Sequence, residues 1–402
     1  MKLLRVLPTL DPRAGGPASG ARMIDAELIQ KGNEVTVLTL DAPDCDFLSQ
    51  HPGRVHALGP SRWGYRYNAN LTPWLRRHAK QFDAVIVNGI WQYHALGTWR
   101  ALAGSGVPYF VFVHGMLDPW FKRAYPRKHL KKWLYWPWAD YRVLRDAAAV
   151  LFTCEEERRL ARESFWLYRC HEEVVAYGTQ APPPAEDGRL ARRFVARHPE
   201  LQGKRIFLYL SRIHEKKGCD LLIDAFARIA RTHPKAHLVM AGPDQSGWVA
   251  ALRAQAKSLG IAGRITWPGL LQGEDKWGAM RAAEVFCLPS HQENFGIVVA
   301  EALACGTPVL ISDKVNIWRE IDADGAGMVH PDTAQGTYEA LVRWLDLPPE
   351  GQQRMRIMAR HSFEQRFHIE RVASSLLDTM QRCQSATSPV FNGSIESAHE
   401  PS

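Results

Sequence analysis

Twice along this chain, short runs of β-branched and aliphatic residues alternate with helical stretches, and the segment TQAPPPAEDGR at 179–189 separates the two series. Strands joined through helices return to the same edge of a sheet, so they pair in parallel. The first series reads KLLRVLPTL, EVTVLTL, DAVIVNG, YFVFVHG, AAVLFTC and EEVVAYG, with a helix over about 19–31 stopped by Gly32. The second runs RIFLYLSR, AHLVMAGPD, RITWPG, EVFCLP and PVLISD, with CDLLIDAFARIARTH, GWVAALRAQAKSLG and EDKWGAMRAA as helices between them. The expected fold class is α/β, with two doubly wound domains. Their expected limits are 1–180 and 201–347, joined by a proline-rich linker at 181–200. Helical stretches over 348–386 can fold back onto either domain, the first included. The polar segment 387–402 reads as a disordered tail.

Composition narrows the class. With 402 residues there is room for two or three domains and a large core. No apolar run approaches the roughly 18 residues of a membrane span. The start, MKLLRVLPTLDPR, is too short in its apolar part for a leader and lacks a small-residue cleavage site. A cytoplasmic location is expected. Seven cysteines without a CxxC pair suit reduced thiols better than a disulfide framework or a zinc site. Sequons at Asn70 and Asn392 then carry no meaning.

The net charge of +8 is unevenly spread. Residues 121–142 read FKRAYPRKHLKKWLYWPWADYR, seven Lys or Arg against one Asp, interleaved with Trp133, Tyr135, Trp136 and Trp138. Basic side chains beside interfacial aromatics suit a membrane surface. Nucleic acid uses the same combination, and a helix that turns its aromatics into the core is a third reading.

The stretch HQENFGIVVAEALACGTP carries the most chemistry. A strand precedes it, Gly306 and Pro308 stop it, and a short helix from about 296 to 304 lies inside it. Such a helix starts at the carboxyl end of a parallel strand, where open α/β sheets bind ligands and free amides attract phosphate. Glu293 and Glu301 stand eight positions apart, about 12 Å if all are helical. That separation suits a nucleoside diphosphate sugar with its pyrophosphate on the amides near Gly296 and Ile297. The carboxylates would accept from sugar hydroxyls on one side and ribose hydroxyls on the other. A loop glutamate and a solvated helix position are the plain alternative.

Other segments supply candidates and exclusions. DPRAGGPASG offers Gly15 and Gly16 for close backbone approach but is not GxGxxG, so Asp41 is a weak case for a dinucleotide ribose acceptor. GPDQSGW, 242–248, has Trp248 where a P-loop needs Lys. Asp322 and Asp324, followed by Gly325, read as a turn rather than a metal pair. In SRIHEKKG, Arg212 and Lys217 suit a diphosphate at a strand's end; Lys216 is an equal candidate, and solvated loop charges remain an alternative. VFVHGMLDPW places His114 after a strand, facing the cleft if the carboxyl ends of the two sheets converge.

Together these segments resemble a known family. ENFGIVVAE followed by ALACGTPVL resembles the E-x7-E element of family 4 retaining glycosyltransferases, SRIHEKKGCDLLIDAF resembles their phosphate-binding segment, VHGML their first-domain histidine loop, and the Gly15–Gly16 loop their N-terminal glycine loop. The matches cover most of 1–330 in the expected order. The resemblance implies the GT-B fold, two Rossmann-like domains facing each other across a cleft, the first binding the acceptor and the second the nucleotide sugar. It implies that Glu293 contacts the donor sugar and Glu301 the ribose, and that Asn294, Phe295 and Gly296 present amides to sugar hydroxyls. Ile297 and Val298 would lie near the pyrophosphate, Arg212 and Lys217 would neutralise the leaving diphosphate, and Gly242 and Leu271 would border base and ribose. His114 would border the reacting centre. One departure is Ser211, where the family has a strand-end glycine. The implied chemistry is transfer with retention, without metal or cofactor and without a required general base. The expected acceptor is a lipid-linked saccharide of bacterial polysaccharide assembly, reached from the inner face of the plasma membrane through 121–142, with no nucleic acid involved. A nucleotide-sugar epimerase of the same fold, and a non-catalytic basic membrane or nucleic-acid binding module, are the rival readings.

Overall fold

The computed structural model describes residues 1–184 and 188–387. The first sheet holds β1 (Lys2–Leu7), β2 (Glu34–Thr39), β3 (Arg54–Ala57), β4 (Ala84–Asn88), β5 (Tyr109–Phe112), β6 (Ala149–Phe152) and β7 (Glu172–Val174). All are parallel, in the order β3-β2-β1-β4-β5-β6-β7. The second holds β8 (Arg205–Leu210), β9 (Ala236–Ala241), β10 (Ile265–Gly269), β11 (Val285–Leu288), β12 (Val309–Ser312) and β13 (Gly327–His330), parallel in the order β10-β9-β8-β11-β12-β13. Strand order reverses once in each sheet, between β1 and β4 and between β8 and β11. These are the switch points where open α/β sheets take ligands. Central strands such as β4, β5, β9 and β11 are buried along their whole length, as the two-sided helix cover requires.

Two of the four edge strands, β3 and β13, went unread in the sequence. Each has four residues, RVHA and GMVH, too short for a periodic signal; brevity is a common way of blunting a sheet edge.

The expected linker at 181–200 needs correcting. Residues 189–197 form a helix, Arg189–Arg197, that buries Leu190 and Phe194. It packs so closely on the helix Gly273–Ala282 that a Cβ at Gly278 would stand 2.6 Å from the Leu190 carbonyl. The two apolar positions, four apart, made an amphipathic stripe within the arginines, and the prolines before it masked that signal. The second half therefore begins with this helix.

After the helix Pro349–Ser362 the chain passes through Phe363–Phe367 into the helix Ile369–Thr387, which packs on the first-half helix Gly16–Gln30. Thr179 NH donates to the Phe367 carbonyl (3.0 Å) and Ile369 NH to the Thr179 carbonyl (3.1 Å), so outgoing and returning chain cross as a pair. The expected tail at 387–402 lies outside the described residues apart from Thr387, which ends that helix.

The end of β9 is tied closely to that of β8. Gly242, at φ +144°, would carry a Cβ 1.7 Å from the Ser211 carbonyl oxygen. Close backbone approach here thus rests on Gly242 and tolerates Ser211. Gly242→Ala is expected to cost more than about 2 kcal/mol, against about 1 kcal/mol for Gly247→Ala, whose positive-φ site is open. Denaturant unfolding checks this; equal losses would contradict it.

Candidate active site

At the second switch point, two loops meet because a glycine lets them. Gly218, left-handed at φ +65°, would carry a Cβ 2.1 Å from the Pro289 carbonyl oxygen, so the loop after β8 lies directly against the loop after β11. This seats Lys217, buried in the turn Glu215–Lys217, in an ion pair with Glu293. Glu293 is itself pinned: its NH donates to the Lys314 carbonyl (2.9 Å) and its carbonyl accepts from Asn316 NH (3.0 Å). Gly296, at φ +73°, then opens the helix Ile297–Ala304. Ile297 and Val298 are half-buried on its first turn, where amides have no helical partner. Glu301, one turn on, is buried and accepts from Lys276 Nζ at 2.7 Å. Burial pushes its pKa up while Lys276 opposes.

Lys276 was missed in the sequence. It projects from the helix Gly273–Ala282 just after Leu271, which is half-buried and packed on the second core. Its place in EDKW beside Leu271 was the available clue. Arg212 is exposed at the end of β8, its guanidinium donating to Gln245 (3.2 Å). Lys216 separates from Lys217: its ammonium lies over the rings of Trp120 (4.8 Å) and Phe121 (5.2 Å) of the first half. Burial, with the charge of Lys217, pushes its pKa down to about 8. Phe295 is buried between Tyr177 and Phe367, with ring centroids at 5.7 and 5.6 Å, which leaves only its backbone for a ligand. Asp322 lies in the last turn of the helix Trp318–Ala323, and Asp324 caps it while accepting from Arg366 and Ser362.

The first half contributes a buried chain of polar groups that ends at His114. Arg5 of β1 pairs with Asp25 and donates to Asn88 Oδ1 at 2.9 Å. Guanidinium only donates, which fixes the amide of Asn88. Asn88 Nδ2, 2.9 Å from His114 Nε2, must then be the donor. His114 therefore carries its proton on Nδ1, which has no protein acceptor among the described residues. Burial, then the charge of Arg5, pushes its pKa down to about 3, so the ring is neutral. Its backbone is left-handed, φ +48°. The Gly15 and Gly16 positions have nothing within 4 Å of a Cβ, so space beside them is open.

The halves touch around these groups. A Cβ at Gly115, next to His114, would meet the Asn294 side chain at 2.6 Å; Asn294 Nδ2 donates to Thr153 Oγ1 (3.2 Å), and Gln292 to Asp118 (2.8 Å). His114 and Glu293 thus stand on facing loops of one cleft.

Residues 15–178 match the sequence model of the glycosyl transferase 4-like domain, and residues 192–362 that of glycosyl transferases group 1. The chain belongs to glycosyltransferase family 4 and has the GT-B fold. The mannosylfructose-phosphate synthase of Agrobacterium fabrum is 29% identical to this family 4 chain over 44% of it and 40% of that enzyme. The GDP-mannose-dependent α-(1-6)-phosphatidylinositol dimannoside mannosyltransferase of Mycobacterium tuberculosis is 26% identical over 94% and 96%. The first relatives are matched over less than two thirds of their own length. Among solved structures, Anabaena HepE in complex with UDP-glucose superposes with a TM-score of 0.73 at 18% identity, over 95% of this chain and 100% of that one.

The histidine assignment can be read without substrate. Nitrogen-15 NMR at pH 7 is expected to show a neutral His114 protonated on Nδ1. Asn88→Asp, which replaces the amide donor by an acceptor, is expected to move the proton to Nε2. An imidazolium at pH 6, or a tautomer indifferent to the substitution, would contradict the network.

Proposed function

We propose that this protein transfers a glycosyl group from a nucleoside diphosphate sugar to a hydroxyl of a saccharide acceptor, with retention of configuration. The observation that carries the reading is the Lys217–Glu293 pair, held beside the first turn of Ile297–Ala304 with a second carboxylate, Glu301, on the same helix. A donor lying across that turn exchanges partners with the pair: its diphosphate takes Lys217, and its sugar hydroxyls take Glu293. Glu301, paired with Lys276, accepts from ribose hydroxyls. As the bond from the anomeric carbon to the diphosphate breaks and the acceptor hydroxyl oxygen bonds to that carbon, negative charge grows on the leaving phosphate oxygen, which takes up the hydroxyl proton. Lys217, the exposed Arg212 and the amides at Gly296, Ile297 and Val298 stabilise it electrostatically. Side-chain cations do the work a metal would do, so no metal or cofactor is required. His114, neutral and with a free Nδ1–H, donates to the sugar rather than acting as a base. Gly242 and Leu271 border the nucleoside. HepE's complex with UDP-glucose supports a nucleotide-sugar donor, and the mycobacterial relative's name supports a lipid-linked saccharide acceptor. A non-catalytic binding module would have no use for the buried pair.

The basic aromatic segment supports docking on the inner face of the plasma membrane, in the service of bacterial polysaccharide assembly. Its helix Pro126–Tyr135 buries none of its residues, and Leu130, Trp133 and Leu134 are exposed beside Trp166 and Trp138. Arg127, Lys128 and Lys131 lie among them. Trp136 is a correction: it is fully buried, stacked on Phe165 at 4.4 Å with its indole NH on the Leu167 carbonyl, so it belongs to the core. Tyr135 is likewise engaged, its hydroxyl 2.5 Å from that of Tyr65. Among the described residues no helix is long and apolar enough to cross a membrane.

Two measurements test this. In a thermal-shift panel of UDP, GDP and ADP sugars with chelator present, one nucleotide class should stabilise the protein and Glu301→Ala should abolish the shift; a shift intact in the variant sinks the ribose assignment. In co-sedimentation with phosphatidylglycerol vesicles, the wild type should pellet in low salt, and Leu130→Ser/Leu134→Ser should lose most of that binding. Equal pelleting of the two proteins would remove this helix from the interface.

A further inference from the structure

At the edge of the first sheet a second group of chemically active side chains comes together. β7 is an edge strand of three residues, and the last turns of the helix Ile369–Thr387 pass beside it. His171, Glu173 and Cys383 meet there, with one ligand atom of each within 4.8 Å of the others. His171 is exposed, Glu173 half-buried and Cys383 buried. A tetrahedral zinc with bonds of about 2.0–2.3 Å holds its ligands roughly 3.3–3.8 Å apart, so small side-chain shifts close this group on an ion.

Two of the three are already oriented as ligands. His171 Nδ1 lies 2.8 Å from the Ala148 carbonyl oxygen. A carbonyl only accepts, so Nδ1 holds the proton and donates. In the neutral ring Nε2 then turns a bare lone pair toward Glu173 Oε1, 3.5 Å away. Two acceptors facing each other in this way need a proton or a cation between them. The other oxygen of Glu173, Oε2, accepts from Arg382 at 3.2 Å, which leaves Oε1 for the ion. Outer partners of this kind, a carbonyl on the histidine and a donor on the carboxylate, are what fix ligand orientation around a metal. The thiol adds selectivity: imidazole, carboxylate and thiolate together suit zinc, whereas magnesium and calcium take oxygen. No CxxC spacing announced the group, because its parts are remote in the chain, Glu173 and Arg382 standing 209 positions apart.

We propose that His171, Glu173 and Cys383 bind one zinc ion, with water completing its coordination, and that the ion clips the C-terminal helix to the edge of the first sheet. On binding, the ion takes the Cys383 thiolate and the thiol proton leaves to solvent. Arg382 and Gln384, whose side-chain amide donates to the Asp83 carbonyl (3.0 Å), tie the same end of the helix to the first half. The ion adds metal–ligand bonds to those contacts, at a strand that is paired along one side only. His171 and Ala148 precede β7 and β6 at their amino ends, whereas His114 follows β5 at its carboxyl end. The site therefore lies across the sheet from the cleft and takes no part in the transfer proposed above.

Zinc titration of the full chain against a chromophoric chelator, with cobalt as a spectroscopic substitute, tests this. The wild type should bind a single equivalent of zinc, and its cobalt form should show a thiolate-to-cobalt charge-transfer band that Cys383→Ser loses. His171→Gln changes an exposed side chain and so spares the fold. It should weaken zinc binding by at least about tenfold, since loss of a direct ligand costs no less than loss of an outer partner. Cys45→Ser, at a half-buried thiol elsewhere, should bind like the wild type. Zinc should raise the melting temperature of the wild type and leave that of His171→Gln unmoved. The proposal falls if the wild type takes up no zinc, if the cobalt form lacks the thiolate band, or if Cys45→Ser abolishes binding. It falls equally if His171→Gln binds zinc as tightly as the wild type, in which case an imidazolium rather than a metal satisfies Glu173.

Discussion

The ion pair of Lys217 and Glu293 is the contact on which the second half is organised. Ion pairs shielded from water rarely stabilise a protein more than apolar side chains of the same shape, because desolvation offsets the attraction. This one also demands Gly218, in a left-handed conformation jammed against Pro289, to bring two loops into register. What the arrangement gains is readiness for a ligand. Each partner is satisfied by the other, and on the proposed reading a diphosphate and a pair of hydroxyls replace them one for one. Glu301 and Lys276 repeat the device one turn along the helix, with a hydrogen bond of 2.7 Å.

The first half solves a different problem with fixed groups. Asp25 faces Arg5 and lies 3.2 Å from His51, and the chain of contacts runs through Asn88 to His114 without a solvent-exposed member before the cleft. A donor-only guanidinium at one end sets every orientation down the line, so the imidazole reaches the cleft neutral and in one tautomer. Paired charges line one wall, and a fixed neutral ring faces them from the other. Phe295 joins the walls: wedged between Tyr177 and Phe367, it is a core residue contributed by the very loop that carries Glu293.

How much of this was legible followed from range. Strands such as β4 and β9 announce themselves because burial on both faces leaves mostly apolar residues, and Gly296, Gly306 and Pro308 bracket the helix that carries Glu301. The contacts that give those residues their roles were not readable: Lys276 is 25 positions from Glu301, Asn88 is 26 from His114, and Arg5 is 83 from Asn88. One sequence carries no trace of such pairing. Composition misled where two fates share one residue type. Trp133, Trp136 and Trp138 look alike in WLYWPW, yet Trp136 finds Phe165 and disappears into the core while its neighbours stay outside. The proline run concealed the helix Arg189–Arg197 in the same way, since a strong turn signal outweighs two leucine-like positions among arginines.

The distribution of positive charge explains why +8 need not mean nucleic acid. Many of the chain's arginines are spent inside it: Arg5, Arg205, Arg319 and Arg366 all grip carboxylates. Around the helix Pro126–Tyr135 the pattern inverts, with Lys128 and Lys132 resting on the rings of Tyr125 and Trp91 rather than on acids. Arg127, Lys128 and Lys131, exposed beside leucines and tryptophans, suit a surface that is both anionic and apolar, which a polynucleotide is not. From that helix the rim residues Tyr125 and Arg123 lead into an interdomain cavity, and the cavity ends at Gln292, next to Glu293. The exposed aromatic helix, the interdomain cavity and the Lys217–Glu293 pair therefore follow one another along the structure.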